Sequence, residues 1–410
     1  MPSRYARPAA LVGAVLALAG LSAPLRAAAE PLTLSAATAR AQSQSPLVTA
    51  AEASVRAAEG RARQAGLVPN PEAGLQTENV AGSGQYSGFG VAETTATISQ
   101  RLELGGKRRT RLAAAEAEVD AARIGFAIAK ADLSREVSVR YAEALAAEDR
   151  LSLARETAAR AEGLSKVSAT LVEAGREPPL RAMRAEADSG EAAAAVIAAE
   201  ADAAAARRAL VTLWGDAEGT VELVAKPLAP QSTPALIDPA QSLDVRLARA
   251  EREAAHAVID RERAIGRPDV TVQAGVRRFE QTGDSALIVG FTAPIPISNR
   301  NQGTVAAARA DATAAEARER LALANSVRAV RDGEAALRAA NARLEALESK
   351  IVPQAQMAVD LARGGFEAGK FSLLDVLDAQ GALTTARTAL ITARLGRAKA
   401  LAALERAAAQ

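Results

Sequence analysis

Apolar residues recur along this chain at two different steps, and the step changes at defined places. Leu112, Val119, Phe126 and Leu133 fall seven residues apart, with Ala115, Ala122 and Ala129 between them. Leu323, Val330, Leu337, Leu344 and Ile351 keep the same step in the second half. A seven-residue step with a second small or apolar position is a coiled-coil seam. Long helices are therefore expected at 105–172 and 303–366, each roughly 90 to 100 Å if continuous. No proline interrupts the first; Pro353 lies near the end of the second. Elsewhere the step is two. Val270, Val272, Ala274 and Val276 alternate with Thr271, Gln273, Gly275 and Arg277. Leu287, Val289, Phe291, Ala293 and Ile295 follow the same rule, which predicts a β-hairpin over 268–297. Pro71–Val80 and Val91–Leu102 predict a second hairpin over 71–102, although these strands are polar in sequence. The connections Ala81–Gly90 and Glu280–Ser285 are rich in Gly, Ser, Gln and Asp, as exposed loops should be.

The chain is written twice. Leu171-Val172-Glu173-Ala174-Gly175 is echoed 194 residues later by Gly365-Phe366-Glu367-Ala368-Gly369. Gly66-Leu67-Val68-Pro69-Asn70-Pro71 likewise resembles Ile265-Gly266-Arg267-Pro268-Asp269. The organisation expected is a first repeat at 30–220, a linker at 221–240 and a second repeat at 241–410. Each repeat runs helix, hairpin, long helix, tip turn and return helix. The tip turns fall at 174–179 and 367–372, and the return helices at 180–214 and 373–409. Gly175 and Gly369 close the incoming helices, and Pro179 or Ser372 opens the outgoing ones. The fold class is mainly α with a small β part. Strand runs of about ten residues suit a tilted membrane strand, and equally a soluble sheet edge. Four strands cannot close a barrel, and an open edge cannot sit in lipid. If these strands span a membrane, several chains must pool them.

Composition supports the shape. Aromatic residues are only 2% of the chain, and alanine supplies much of the apolar content, as narrow helical seams require. Residues 1–29 read as a signal peptide. Arg4 and Arg7 precede an apolar run from Ala9 to Leu21, and Ala27-Ala28-Ala29 offers a cleavage site. That run is too short to cross a hydrocarbon core of ~30 Å as a helix. Fifty Lys and Arg against 48 Asp and Glu, without a long basic run, argue against nucleic acid as a partner. With no Cys, one His and three Met, no soft-ligand metal site can be assembled, and no cofactor is expected. His256 stands alone on a helix. No nucleophile–His–acid set or phosphate loop suggests an enzyme.

Two motifs narrow the reading. Leu102-Glu103-Leu104-Gly105-Gly106-Lys107-Arg108-Arg109 ends the first hairpin, and Pro294-Ile295-Pro296-Ile297-Ser298-Asn299-Arg300-Asn301-Gln302-Gly303 ends the second. Both resemble strand-to-helix signatures of CzcC-type outer membrane factors of heavy-metal efflux. The stretch from Gly369 through Asp375-Val376-Leu377-Asp378-Ala379 resembles the periplasmic-tip motif of TolC. The resemblance covers about Leu32 to Glu405. It implies a homotrimer with a twelve-strand barrel in the outer membrane lipid and a helical tunnel through the periplasm. It also implies a periplasmic adaptor and an inner-membrane resistance-nodulation-division pump as partners, and heavy-metal cations as the passengers. Drug efflux or type I secretion would use the same duct. A secreted or periplasmic coiled-coil scaffold would instead leave the hairpin runs as loops.

The same resemblance makes Asp375 and Asp378 gate residues at the tip, spaced so that three chains could present six carboxylates. Ser372-Leu373-Leu374-Asp375 is also a helix capping box, so gate and cap both stand. Pro178-Pro179 and Arg181 depart from the TolC pattern; Arg181 either pairs with Asp375 of a neighbouring hairpin or is solvated. Gly175, Gly369, Lys370 and Phe371 shape the tip turn or the adaptor-docking surface. At the other end Leu104, Gly105, Gly106, Lys107, Arg108, Asn299, Arg300, Asn301 and Gly303 form the strand-to-helix junction. Lys107, Arg108 and Arg109 either meet phosphate or lipid headgroups there or mark the rim where strand becomes helix.

Overall fold

A computed structural model describes residues 32–216, 219, 221–224 and 238–410. The expected signal peptide, and 225–237 of the expected linker, lie outside the described residues. The chain opens with α1 (Leu34–Gln44) and α2 (Pro46–Ala65). Thr33 caps the first by accepting from the Ala36 N–H. Ser45 caps the second and Pro46 fills its first turn, where a missing N–H costs nothing. A short connection then leads to the first hairpin: β1 (Glu72–Glu78) and β2 (Glu93–Leu102). Next come α3 (Lys107–Glu173) and α4 (Pro179–Val211), and after the linker α5 (Leu243–Ile265). The second hairpin is β3 (Val270–Phe279) and β4 (Ser285–Thr292). It is followed by α6 (Gln302–Ala346), α7 (Val352–Glu367) and α8 (Leu373–Ala407).

Helix α3 has 67 residues, ~100 Å at 1.5 Å per residue, and is the axis of the molecule. It packs against α1, α2, α4, α5 and α8. Val119 and Leu133 of the expected seam are buried. Ala115 and Ala122 pack with Val119 against Ala58 and Ala62 of α2, and small side chains let these helices approach closely. The bulkiest core lies midway along α3, where Leu133, Val137 and Tyr141 meet Ala37, Ala41, Val48, Leu210, Val211 and Trp214. There Leu32 and Leu223 form a parallel bridge, and the Tyr141 hydroxyl donates to the Leu32 carbonyl at 2.9 Å.

The second long helix is not the continuous 303–366 helix that its periodicity suggests. A π-helical turn at Leu347–Ile351 separates α6 from α7, and Pro353 falls in the first turn of α7. Proline has no N–H to give to the preceding turn, and a π turn inserts one residue into the helical register. The seam shifts accordingly. Val330 and Leu337 are buried before the insertion and Val359 and Ala362 after it. Ile351, which the unbroken seven-residue step would bury, is 44% exposed.

All four strands are antiparallel in the order β1-β2-β3-β4, so β2 against β3 joins the two halves of the chain. Strand β4 stops at Thr292 rather than running to Ile297. Pro294 and Pro296 cannot donate to a ladder, and the Ile297 N–H turns back to the Ile295 carbonyl. The halves are joined again near the end of α8. Arg406, with a side chain only 14% exposed, bonds Asp132 of α3 and reaches both oxygens of Asp244 of α5 at 2.8 and 3.1 Å. Replacing Arg406 with Met leaves two facing carboxylates without their cation. It should cost about 1–3 kcal/mol, seen as a lower melting temperature by far-ultraviolet circular dichroism.

Candidate functional site

The register sorts the sheet into two unlike faces. Ala73, Ile98, Ala274 and Val289 form one row across all four strands, and Leu75, Ala96, Val276 and Leu287 the next. Val272 and Phe291 pair below them. These side chains face outward with nothing on them: Leu75 is 75% exposed, Leu287 79% and Phe291 78%. The first hairpin looked polar in sequence because its apolar residues are few. They become one continuous apolar face only when the register aligns them with β3 and β4. The opposite face carries Gln76, Thr95, Thr97, Ser99 and Gln273. There Arg277 bonds Glu93 at 2.9 Å, Thr95 at 2.9 Å and Glu78 at 3.1 Å, tying β1 and β2 to β3.

The strand-to-helix junction is held by bonds that cross between the repeats. Both long helices start from a left-handed residue, Gly106 at φ 78° and Asn301 at φ 61°. Gly105 is left-handed as well, and a Cβ there would run into the Arg267 side chain. Lys107 Nζ meets Asp269 Oδ1 at 2.7 Å, and the same carboxylate oxygen accepts from the Leu104 N–H at 3.1 Å. Lys107 is therefore occupied within the rim. Asn301 Nδ2 donates to the backbone and the side chain of buried Glu262, both at 2.9 Å. Asn299 Oδ1 accepts from the Asn301 N–H, and Arg300 Nε donates to the Pro296 carbonyl. Gly303 lies in open space on the first turn of α6. Sequence reasoning missed Arg111, which grips Glu103 through two bonds of 2.5 and 3.1 Å. That bonding holds the Glu103 carboxyl below the usual range and pushes the Arg111 guanidinium up.

At the opposite end the two tip turns are copies of each other. Gly175 at φ 68° and Gly369 at φ 71° end α3 and α7. The N–H of Arg176 reaches the Leu171 carbonyl, and that of Lys370 reaches Gly365, at 2.9 and 2.8 Å. This is the Schellman closure, which the left-handed glycine permits. The Phe371 ring lies so close to Gly365 that a Cβ there could not be accommodated. Asp375 completes the capping box, accepting on one oxygen from the Ser372 N–H at 2.8 Å and hydroxyl at 2.7 Å. Those hydrogen bonds hold its carboxyl below the ordinary aspartate range. Asp378, one turn on, is exposed. Within this chain Arg181 pairs with Glu177 at 2.8 Å.

His256 is half exposed beside Glu316. Among the described residues no cluster of His, Asp or Glu could hold a metal ion. No described helix is long and apolar enough to cross a membrane.

The family described as "Outer membrane efflux protein" matches residues 37–216 and 239–410. The cobalt-zinc-cadmium resistance protein CzcC of Cupriavidus metallidurans is 32% identical over 88% of this chain and 86% of its own length. The nickel-cobalt-cadmium resistance protein NccC of Alcaligenes xylosoxydans is 34% identical over 76% of this chain and 71% of its own. Among solved structures, CusC superposes with a TM-score of 0.80 at 19% identity, over 99% of both chains. VceC of Vibrio cholerae superposes with a TM-score of 0.77 at 23% identity, over 91% of this chain and 95% of that one. An exposed apolar sheet above a long helical shaft, in a chain matched nearly end to end, has one meaning: this protein belongs to the outer membrane efflux protein family, its sheet in the outer membrane and its helices extending into the periplasm.

Proposed function

We propose that three copies of this chain pool their sheets into a twelve-strand barrel and form the exit duct of a tripartite efflux system. Heavy-metal cations are its passengers, delivered by an inner-membrane pump of the resistance-nodulation-division type and a periplasmic adaptor. One observation carries the assembly. The sheet has an apolar outer face but two unpaired edges, β1 and β4. In lipid an open edge is intolerable, and pairing β4 of one copy with β1 of the next removes every edge. The passengers are read from relatives named for resistance to cobalt, zinc, cadmium and nickel. Selection among metals then rests with the pump and adaptor, since a duct discriminates by width and charge.

The helical tip is the other end of the duct. Gly175, Gly369, Lys370 and Phe371 build the surface offered to the adaptor. Asp375 and Asp378 lie one helical turn apart, and three chains would bring six carboxylates to the entrance. Their roles are unequal. One oxygen of Asp375 is committed to capping α8, whereas Asp378 is exposed and free to face passing ions. The alternative passengers, drugs or secreted proteins, require no change in this architecture.

Three measurements test the reading. Expressed protein should fractionate with the outer membrane and have the mass of a trimer in detergent. A soluble monomer or dimer would remove the barrel and leave a periplasmic scaffold. In planar bilayers under a salt gradient, Asp378→Asn should move the reversal potential toward lower cation preference; an unchanged potential would place Asp378 off the ion path. The Asp375 cap should be fully present above about pH 4 and be lost as pH falls through its lowered folded value. Hydrogen exchange across 372–376 should therefore accelerate in acid, and Ser372→Ala should already show the faster exchange at neutral pH.

A further inference from the structure

At the helix end of the sheet the chain goes on presenting exposed apolar side chains. Leu102 ends β2 and Leu104 follows it, and Ile295 and Ile297 follow the end of β4, all of them exposed. Leu67 and Val68, just ahead of β1, are exposed as well. Guanidinium groups are fixed among them. Arg300 donates from Nε to the Pro296 carbonyl at 3.2 Å, between the two isoleucines. Arg108 donates from Nε to the Gly66 carbonyl at 2.5 Å, beside Leu67. Both arginines are exposed, and the junction acids Glu103, Asp269 and Glu262 are held by Arg111, by Lys107, and by Arg261 with Asn301. Anchoring a guanidinium through Nε fixes its plane and leaves its two terminal nitrogens open, the fork that grips a phosphate at two points.

The placement of these cations runs against helix electrostatics. Lys107, Arg108 and Arg109 fill the first turn of α3, and neither α3 nor α6 has an acid in its first turn. A helix N-terminus disfavours positive charge. An anion lying over this collar would offset both the charge of Arg108 and Arg300, which have no ion pair among the described residues, and the helix ends beneath it.

We propose that the collar is a binding surface for phospholipid. The phosphodiester sits on Arg108 and Arg300, and the first part of the acyl chains lies on Leu104, Ile295 and Ile297. The proposal rests on the sheet lying in the outer membrane. The hairpin loops are at one end of the strands and the helices at the other, so the collar meets the leaflet that faces the periplasm. Its apolar residues are continuous with the lipid-facing sheet, which favours a lipid over a free phosphate ion. In the pooled barrel β4 of one protomer adjoins β1 of its neighbour. Arg300 of one and Arg108 of the other then stand at the foot of the same seam, where one lipid bridges two protomers.

Native mass spectrometry of the full-length trimer in neutral detergent tests this, with phosphatidylglycerol as the probe and inorganic phosphate as the competitor. The wild-type trimer should retain the lipid in the presence of equimolar phosphate. The Arg108→Gln/Arg300→Gln pair should bind it at least about tenfold more weakly. The Arg108→Lys/Arg300→Lys pair keeps the charge but loses the fork, and should fall between the two. Equal retention by wild type and the Gln pair would overturn the proposal, as would displacement of the lipid by free phosphate. Should the Gln pair not assemble, equal retention by wild type and the Lys pair would overturn it. Failure of the duct reading shows separately, because the chain would then be missing from the outer-membrane fraction.

Discussion

In hydrocarbon an unpaired backbone N–H or C=O costs several kcal/mol, and the outer strands β1 and β4 each present a row of them. That cost governs the rest of the architecture. Within one chain it is met on the inner strands only, by the long pairing of β2 with β3 that joins the two repeats. On the outer strands it is left open, so the chain is incomplete as a membrane protein by itself. The cross-repeat bonds of the junction, led by Lys107 with Asp269, keep the four strands registered as a unit, and Asn301 with Glu262 ties the start of α6 to the end of α5.

The helical shaft obeys a different constraint. Its core is built largely from alanine, so its stability depends on close approach along a great length rather than on thick packing at one place. Three devices keep that approach regular: the bulky cluster around Tyr141, the Arg406 node between α3, α5 and α8, and the π turn before Pro353. The π turn is a correction of phase. One inserted residue moves the buried line from Val330 and Leu337 of α6 to Val359 and Ala362 of α7. The seam can therefore continue to the tip past a proline.

Much of this was legible in the sequence because its signals are local. The seven-residue seams, the two-residue alternation of β3 and β4, and the Gly175 and Gly369 turns are each written within a few residues. The departures have equally definite causes. The alternation that reaches Ile297 says nothing of Pro294 and Pro296, which lack the N–H a ladder needs. The polar look of β1 and β2 hid Leu75 and Ile98, whose apolar neighbours lie on other strands. The Arg111–Glu103 grip and the Arg406 node depend on side chains brought together by the tertiary fold. The capping box at Ser372 and Asp375 was visible from spacing alone.

The alanine seam has a thermodynamic consequence. The heat-capacity change on unfolding follows the apolar surface newly exposed to water, and a buried methyl contributes little of it. For each residue this shaft should therefore absorb less heat capacity on unfolding than a globular core of leucine and phenylalanine. Its free energy of folding then bends less with temperature, which suits a long tube that must keep one bore along its whole length as conditions outside the cell change.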